Sequence, residues 1–158
     1  MKALDIKIRK VRKGDIDRII DIERSWHHLS HWSIDSYYRL LNDDSFTSSF
    51  VAEVVTETGR PNIVGFVIFH IAADVSEIYN IAVENSCARS GVGQQLMSAA
   101  IQESTRRDAT KVVLEVRKSN NPAINFYLKF NFRIAGERKN YYSNPIEDAY
   151  VMELEVSG

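Results

Sequence analysis

Apolar positions change their period several times along this chain. Ile6, Ile8 and Val11 alternate with basic residues and predict a first strand. After Gly14-Asp15, the residues Ile16, Ile19 and Ile20 recur at helical spacing. Ser33 can cap a second helix that carries Ile34, Tyr37, Tyr38 and Leu41. Phe50–Val55 and Ile63–Ile71 read as strands, joined through Glu57–Asn62 with its hairpin-turn chemistry. Glu77–Val83 predicts another strand. The helix expected over Gly91–Arg107 places Val92, Leu96, Ala99 and Ala100 on one face. Lys111–Arg117 follows as a strand, and Asn121-Pro122 reads as an N-cap with proline at the first helical position. That helix is expected to end near Phe130-Asn131, before strands over Phe132–Ala135 and Tyr150–Val156. The order β-α-α-β-β-β-α-β-α-β-β has one central βαβ crossover and hairpins elsewhere. It predicts an α/β fold with a mixed, mostly antiparallel sheet and helices on both faces.

Composition narrows the class without changing this layout. A chain of 158 residues suffices for one domain with a substantial core and is short for two, so residues 1–158 are taken as a single unit. No repeat, low-complexity tract or Pro/Gly-rich linker interrupts it. Twenty basic and 21 acidic side chains leave a formal charge of −1, which removes bulk attraction to nucleic acid or an anionic membrane. Cys87 stands alone, so no internal disulfide can form, and a reducing, cytoplasmic setting is expected. Met1–Asp5 leads into a strand with no long apolar h-region, and no apolar run reaches spanning length.

The chemistry gathers in two stretches. In the first, Asn80–Leu96, a strand meets a turn, Arg89-Ser90-Gly91-Val92-Gly93-Gln94, that opens a helix. Two glycines one residue apart admit a ligand close to the backbone, and the helix N-terminus with Arg89 suits phosphate oxygens. A dinucleotide fingerprint fits less well, because Leu96 stands where its third glycine belongs and the fold opens with hairpins. The Gly-Lys-[Ser/Thr] ending of a P-loop is missing, and a plain tight turn into a helix is the bland alternative. The second stretch, Leu114–Tyr127, places Glu115 on a strand face opposite Val112, Leu114 and Val116, and Tyr127 on the next helix. Glu115 can be a solvated strand-face carboxylate or a base, and Tyr127 a core aromatic or an acid. His27 and His31 have the spacing of a zinc pair, but no hydrolase Glu follows His27 and no third ligand is evident, so no metal is expected. With His28, Trp26 and Trp32 they more simply shape a mouth between the first two helices. Cys87 has no visible His partner for a nucleophilic role.

Taken together, these stretches resemble the GNAT superfamily of N-acetyltransferases, and within it the ribosomal-protein and protein N-terminal alanine acetyltransferases. The superfamily pattern Gln/Arg-x-x-Gly-x-Gly/Ala appears with Ala88 in its first place. One side-chain contact is thereby lost, and Arg89 can partly replace it. The resemblance implies acetyl-CoA as co-substrate. It implies that Arg89, Ser90, Gly91, Val92, Gly93 and Gln94 hold the pyrophosphate, while Ile81, Ala82 and Val83 lie along the pantetheine with Asn120 bonding to it. The Val83 N–H would polarise the thioester carbonyl. The family's catalytic Glu stands in Leu-Glu-Val-Arg, here Glu115, and its acid Tyr in Asn-x-x-Ala-Ile-x-x-Tyr, here Tyr127. Such roles suit amide formation, in which an attacking amine loses a proton and a thiolate leaves. The Tyr141-Tyr142…Glu147-Asp148-Ala149 segment matches the family's Tyr-Tyr…Glu-Asp-Ala and, with Trp32, implies a slot for a peptide terminus. The implied acceptor is a protein N-terminal α-amine, a ribosomal protein among the candidates. A lysine ε-amine or a polyamine is the alternative, and a non-catalytic acyl-CoA-binding module the more distant one.

Overall fold

The computed structural model describes residues 4–26, 33–42 and 47–156. In chain order the elements are β1 (Ile6–Lys10), α1 (Ile16–Arg24), α2 (Ile34–Asn42), β2 (Thr47–Val55), β3 (Pro61–Ala72), β4 (Val75–Val83), α3 (Val92–Arg106), β5 (Lys111–Arg117), α4 (Asn121–Lys129), β6 (Arg133–Tyr142) and β7 (Glu147–Glu155). Among the described residues the strands form one seven-stranded sheet in the order β1-β2-β3-β4-β5-β7-β6. β4 and β5 run parallel, and every other neighbouring pair is antiparallel. A parallel pair needs a crossover, and α3 supplies it.

Side-chain alternation divides the core into two layers. Val112, Leu114 and Val116 of β5 point to the face covered by α3 and α4, where they join Leu96, Met97, Ala100 and Ile124. Ile16, Ile19, Ile20 and Ile22 of α1 and Tyr37 of α2 pack on the other face against Val51, Phe66, Ile68 and Ala82. Helices thus lie on both faces, as the pattern predicts. Sheet residues of the α1/α2 layer come from β2, β3 and β4. The stripe of β5 that carries Glu115 is outside that layer. No described helix is long and apolar enough to cross a membrane.

The feature that positions the site is a parting between β4 and β5. These strands pair only at Val75↔Lys111, Ser76↔Val112 and Glu77↔Val113. Just beyond, Ile68 pairs with Asn80 and Phe69 with Ile78, so Tyr79 is an extra residue in β4. A bulge bends its strand, and the ends of β4 and β5 separate. Backbone groups that a longer ladder would have paired are left along the gap. Gly65 lets α3 sit close to β3, since a Cβ there would lie 3.0 Å from both Leu96 Cδ1 and Val92 Cγ1. The first turn of α3 is therefore held beside the end of β4.

Several boundaries differ from the sequence expectation, β2, β3 and β4 each beginning two or three residues early, and three of the differences bear on the site. Asn120, not Asn121, caps α4: its side chain accepts from the Ala123 N–H at 3.3 Å, and proline falls at the second helical position. Either asparagine is a competent cap, and the one three residues before a free N–H takes the role. β6 continues from Arg133 to Tyr142, well past Ala135, and β7 begins at Glu147 rather than Tyr150. β6 is an edge strand exposed along most of its length, so its polar residues carry no alternation to read.

Candidate active site

The turn after β4 is built for backbone donors. Arg89 (φ 61°) and Gly91 (φ 91°) both take left-handed conformations, and Gly91 is the N-cap of α3. Alternating backbone hands turn successive N–H groups to one side, forming an anion-binding concavity. The first intrahelical bond runs from the Gln95 N–H to the Gly91 carbonyl at 3.1 Å, so the amides of Val92, Gly93 and Gln94 precede the ladder. Ser90 donates its hydroxyl to the Cys87 carbonyl, which braces the loop. A Cβ at Gly91 would meet nothing within 4 Å, whereas one at Gly93 would lie 3.5 Å from the Phe126 ring and 3.7 Å from Val83 Cγ2. The space over Gly91 is open, and Gly93 abuts the lip of the parting. Val92 and Ala82 bury their side chains in the core and present only main chain.

At the end of β4, Glu84 donates its N–H to the Val64 carbonyl at 2.7 Å, toward β3. Strand alternation turns the N–H and C=O of Val83 the opposite way, toward the parting. Its carbonyl accepts from the Trp26 indole N–H at 2.8 Å. Ile81 and Val83 pack on the α3/α4 layer and Ala82 on the α1/α2 layer.

Glu115 lies on β5 two residues past its last pair with β4, on the face opposite Leu114 and Val116. Burial raises its pKa and the Glu77 carboxylate adds to the rise, while Arg138 opposes both. Arg138 Nε stands 3.2 Å from Glu115 Oε1. A carboxylate so placed is more basic than one in water.

Tyr127 arrives from the other face. It is 8 % exposed, lies edge-on to Phe126 with centroids 5.5 Å apart, and packs on Phe132. Burial alone pushes its pKa up to about 12. Tyr142 links the two faces electrically: burial raises its pKa, Tyr141, Glu115 and Tyr127 raise it further, and Arg117 opposes them. Tyr141 is raised by burial and by Glu115 and Glu77, against Arg138. Glu115 and Tyr127 thus each act on Tyr142, and Glu115 acts on Tyr141 as well.

The β6–β7 connection is fixed from below by Arg117, itself buried. Arg117 Nη1 donates to the Pro145 carbonyl at 3.1 Å and to Glu147 at 3.3 Å, and Nη2 to the Ser143 carbonyl at 3.2 Å. Its guanidinium also lies 4.4 Å from the Tyr142 ring centroid. Glu147 in turn accepts from the Ser119 N–H at 2.7 Å. Asn120 sits next to this cluster with its Oδ1 engaged as the cap of α4.

The residues singled out from sequence on β4, the glycine turn, β5, α4 and β6 therefore cluster around the parting. Trp32 and the His27, His28 and His31 group lie outside the described residues. Among the described residues no group of His, Cys, Asp and Glu is arranged to hold a metal ion. Trp26 as a clamp on Val83, Glu77 and Arg138 around Glu115, and Arg117 as the keystone of the tip were not legible. Each depends on contacts between segments far apart in sequence, and only the Leu-Glu-Val-Arg motif hinted at Arg117.

Comparison with known proteins agrees with this geometry. A family model described as acetyltransferase (GNAT) family matches residues 16–132. A Bacillus subtilis (strain 168) protein provisionally named a ribosomal protein bS18-alanine N-acetyltransferase is 33% identical over 150 residues, covering 95% of each chain. An N-alpha-acetyltransferase of Sulfurisphaera tokodaii is 32% identical over 166 residues, covering 96% of this chain and 93% of the relative. The crystal structure of the ribosomal-protein-S18-alanine N-acetyltransferase from Escherichia coli superposes with a TM-score of 0.83 at 30% identity, over 97% of this chain and 95% of that one. The parted β4 and β5, the glycine turn and these likenesses lead to one conclusion: the chain belongs to the acetyltransferase (GNAT) family.

Proposed function

We propose that this protein, acting as one domain, moves the acetyl group of acetyl-CoA to the N-terminal α-amine of a protein, with an alanine-initiated ribosomal protein as the acceptor class. The observation that carries the reading is the parting of β4 and β5 beside the left-handed glycine turn, with Glu115 two residues past the last pair of those strands. In this reading the amides of the Arg89–Gln94 turn hold the pyrophosphate. Ile81–Val83 line the pantetheine, and the amide nitrogen of Asn120 is the donor that capping leaves over. The amine attacks the thioester carbon directly. Its proton passes through a water to Glu115, the Val83 N–H stabilises the oxyanion, and Tyr127 protonates the departing sulfur. The names of the relatives favour an α-amine over a lysine or polyamine, and the tip bearing Tyr141 and Tyr142 suits a chain end.

The test is incubation with acetyl-CoA and peptides carrying a free N-terminal Ala or Ser, with the acetyl group located by mass spectrometry. Modification of the α-amine, lost when the N-terminus is blocked, is the expected result. Acetyl groups found only on lysine side chains or on polyamines would overturn the choice of acceptor.

A further inference from the structure

Arg138 and Glu115 meet across an intervening strand. Glu115 is in register with Val151 of β7, and Val151 with Gly136 of β6, so the β6 position in line with Glu115 has no side chain. Arg138, two residues on, shares that face and pairs with Ala149, a small residue. The guanidinium can therefore cross β7 diagonally, over Ala149 and past the open place at Gly136, to reach Glu115 Oε1 at 3.2 Å. The pair is unequal: the Glu115 side chain is 13% exposed and that of Arg138 56%. A long cation on the surface returns to water at little cost, whereas a buried carboxylate left without a partner is costly.

We propose that Arg138 is the resting counter-ion of Glu115, and that the acceptor's α-ammonium, facing that carboxylate through the bridging water, takes its place when the peptide binds. This rests on Glu115 being the base of the reading above. The other titratable or charged groups around Glu115 are Glu77 and Tyr79 of β4, Arg117 farther along β5, and Tyr141 and Tyr142 of β6. β7 contributes Val151 at the facing position. With Arg138 swung out, Glu77 and Glu115 present two negative charges to one arriving ammonium. A blocked N-terminus carries no cation and cannot make the exchange. Arg138 is in this sense a positioning residue, which keeps the carboxylate ionised and aimed until the substrate replaces it.

Arg138→Met and Arg138→Lys separate this from a structural role. In Arg138→Met the competitor is gone, so the KM for a free-N-terminus peptide should fall about two- to fivefold, the range for a partly exposed ion pair. The acid limb of kcat/KM should move up by about half a pH unit, since a cation no longer favours the ionised carboxylate. Acetyl-CoA affinity should stay the same, and Arg138→Lys, which keeps the cation, should hold both the peptide KM and the acid limb near their parental values. In a Glu115→Gln background, Arg138→Met should leave the peptide KM unchanged. A peptide KM that rises, or an acid limb that does not move in a folded variant, overturns the proposal. If the parent acetylates no N-terminal peptide, the functional reading has failed on its own terms. The ion pair is then judged by the carbon-13 resonance of the Glu115 carboxyl, with peptide added to the coenzyme A complex. A titration midpoint higher in Arg138→Met, and a parent resonance moved by the free but not the N-acetylated peptide, uphold the exchange. Unmoved resonances overturn it.

Discussion

Glu115 sits where burial and a second carboxylate resist its ionisation while one guanidinium favours it. The net rise makes it a stronger base, and it also sets a lower limit to the working pH. A base must be ionised, so activity should fall as pH drops through a value above the ordinary ~4.3 of glutamate. Glu115→Gln should lower kcat/KM by about a hundredfold near neutrality. The deficit should shrink at high pH, where a larger share of the amine deprotonates unaided. Tyr127→Phe keeps the buried ring and removes only the hydroxyl. Turnover should fall while acetyl-CoA affinity, read by calorimetry, and thermal stability hardly change. Parent rates in both variants would reduce Glu115 to a strand-face carboxylate and Tyr127 to core.

At the scale of elements, the glycine turn and the β6–β7 tip are held in different ways. Gly91 is needed for its backbone, because a left-handed φ costs an L-residue about 1–2 kcal/mol, and its missing side chain touches nothing. Gly91→Ala should therefore weaken acetyl-CoA binding by misdirecting amides rather than by a clash, as calorimetry with the folded variant would show. The tip depends on the fork of Arg117, which a lysine cannot reproduce toward two carbonyls and a carboxylate at once. Arg117→Lys should raise the peptide KM with little change in that for acetyl-CoA, and Tyr142→Ala should do the same. Steady-state kinetics with each substrate varied would separate the two. The turn was legible in sequence because its chemistry is local: two glycines, a basic residue and the start of an amphipathic helix. The parting was not, since the Tyr79 bulge follows from register against β3 and no residue type announces it. Asn120 and Asn121 show the limit within one element, as both can cap and only three-dimensional spacing chooses between them.

The whole molecule ties its N-terminal edge to the first helix through an ion cluster away from the site. Arg9 grips Asp15 with both terminal nitrogens, at 2.8 and 3.0 Å, and reaches Glu53 of β2 through Nε at 3.0 Å. Asp15 also accepts from the Arg12 N–H at 2.7 Å, at the entry to α1. Burial alone would raise the Asp15 pKa, but the hydrogen bonds and charges of Arg9 and Arg12 outweigh it and hold the carboxyl below its usual value. A pKa lowered by folding means that the native state favours the ionised form. Its stabilisation is complete above the unfolded value of ~3.9 and disappears as pH falls through the folded one. Asp15→Asn should therefore lower the melting temperature at neutral pH, because it leaves the half-buried Arg9 with one carboxylate in place of two. It should also flatten the acid side of the stability curve, since less protonation is then linked to unfolding. Calorimetric melts from neutral pH to below pH ~4 test both points. Because Arg9, Asp15 and Glu53 lie on the β1–β2 side of the sheet, with β3 and β4 between them and β5, acetyl transfer by the folded variant should keep its parental pH profile. Equal losses in parent and variant as the acid is added would remove Asp15 from the account of acid stability.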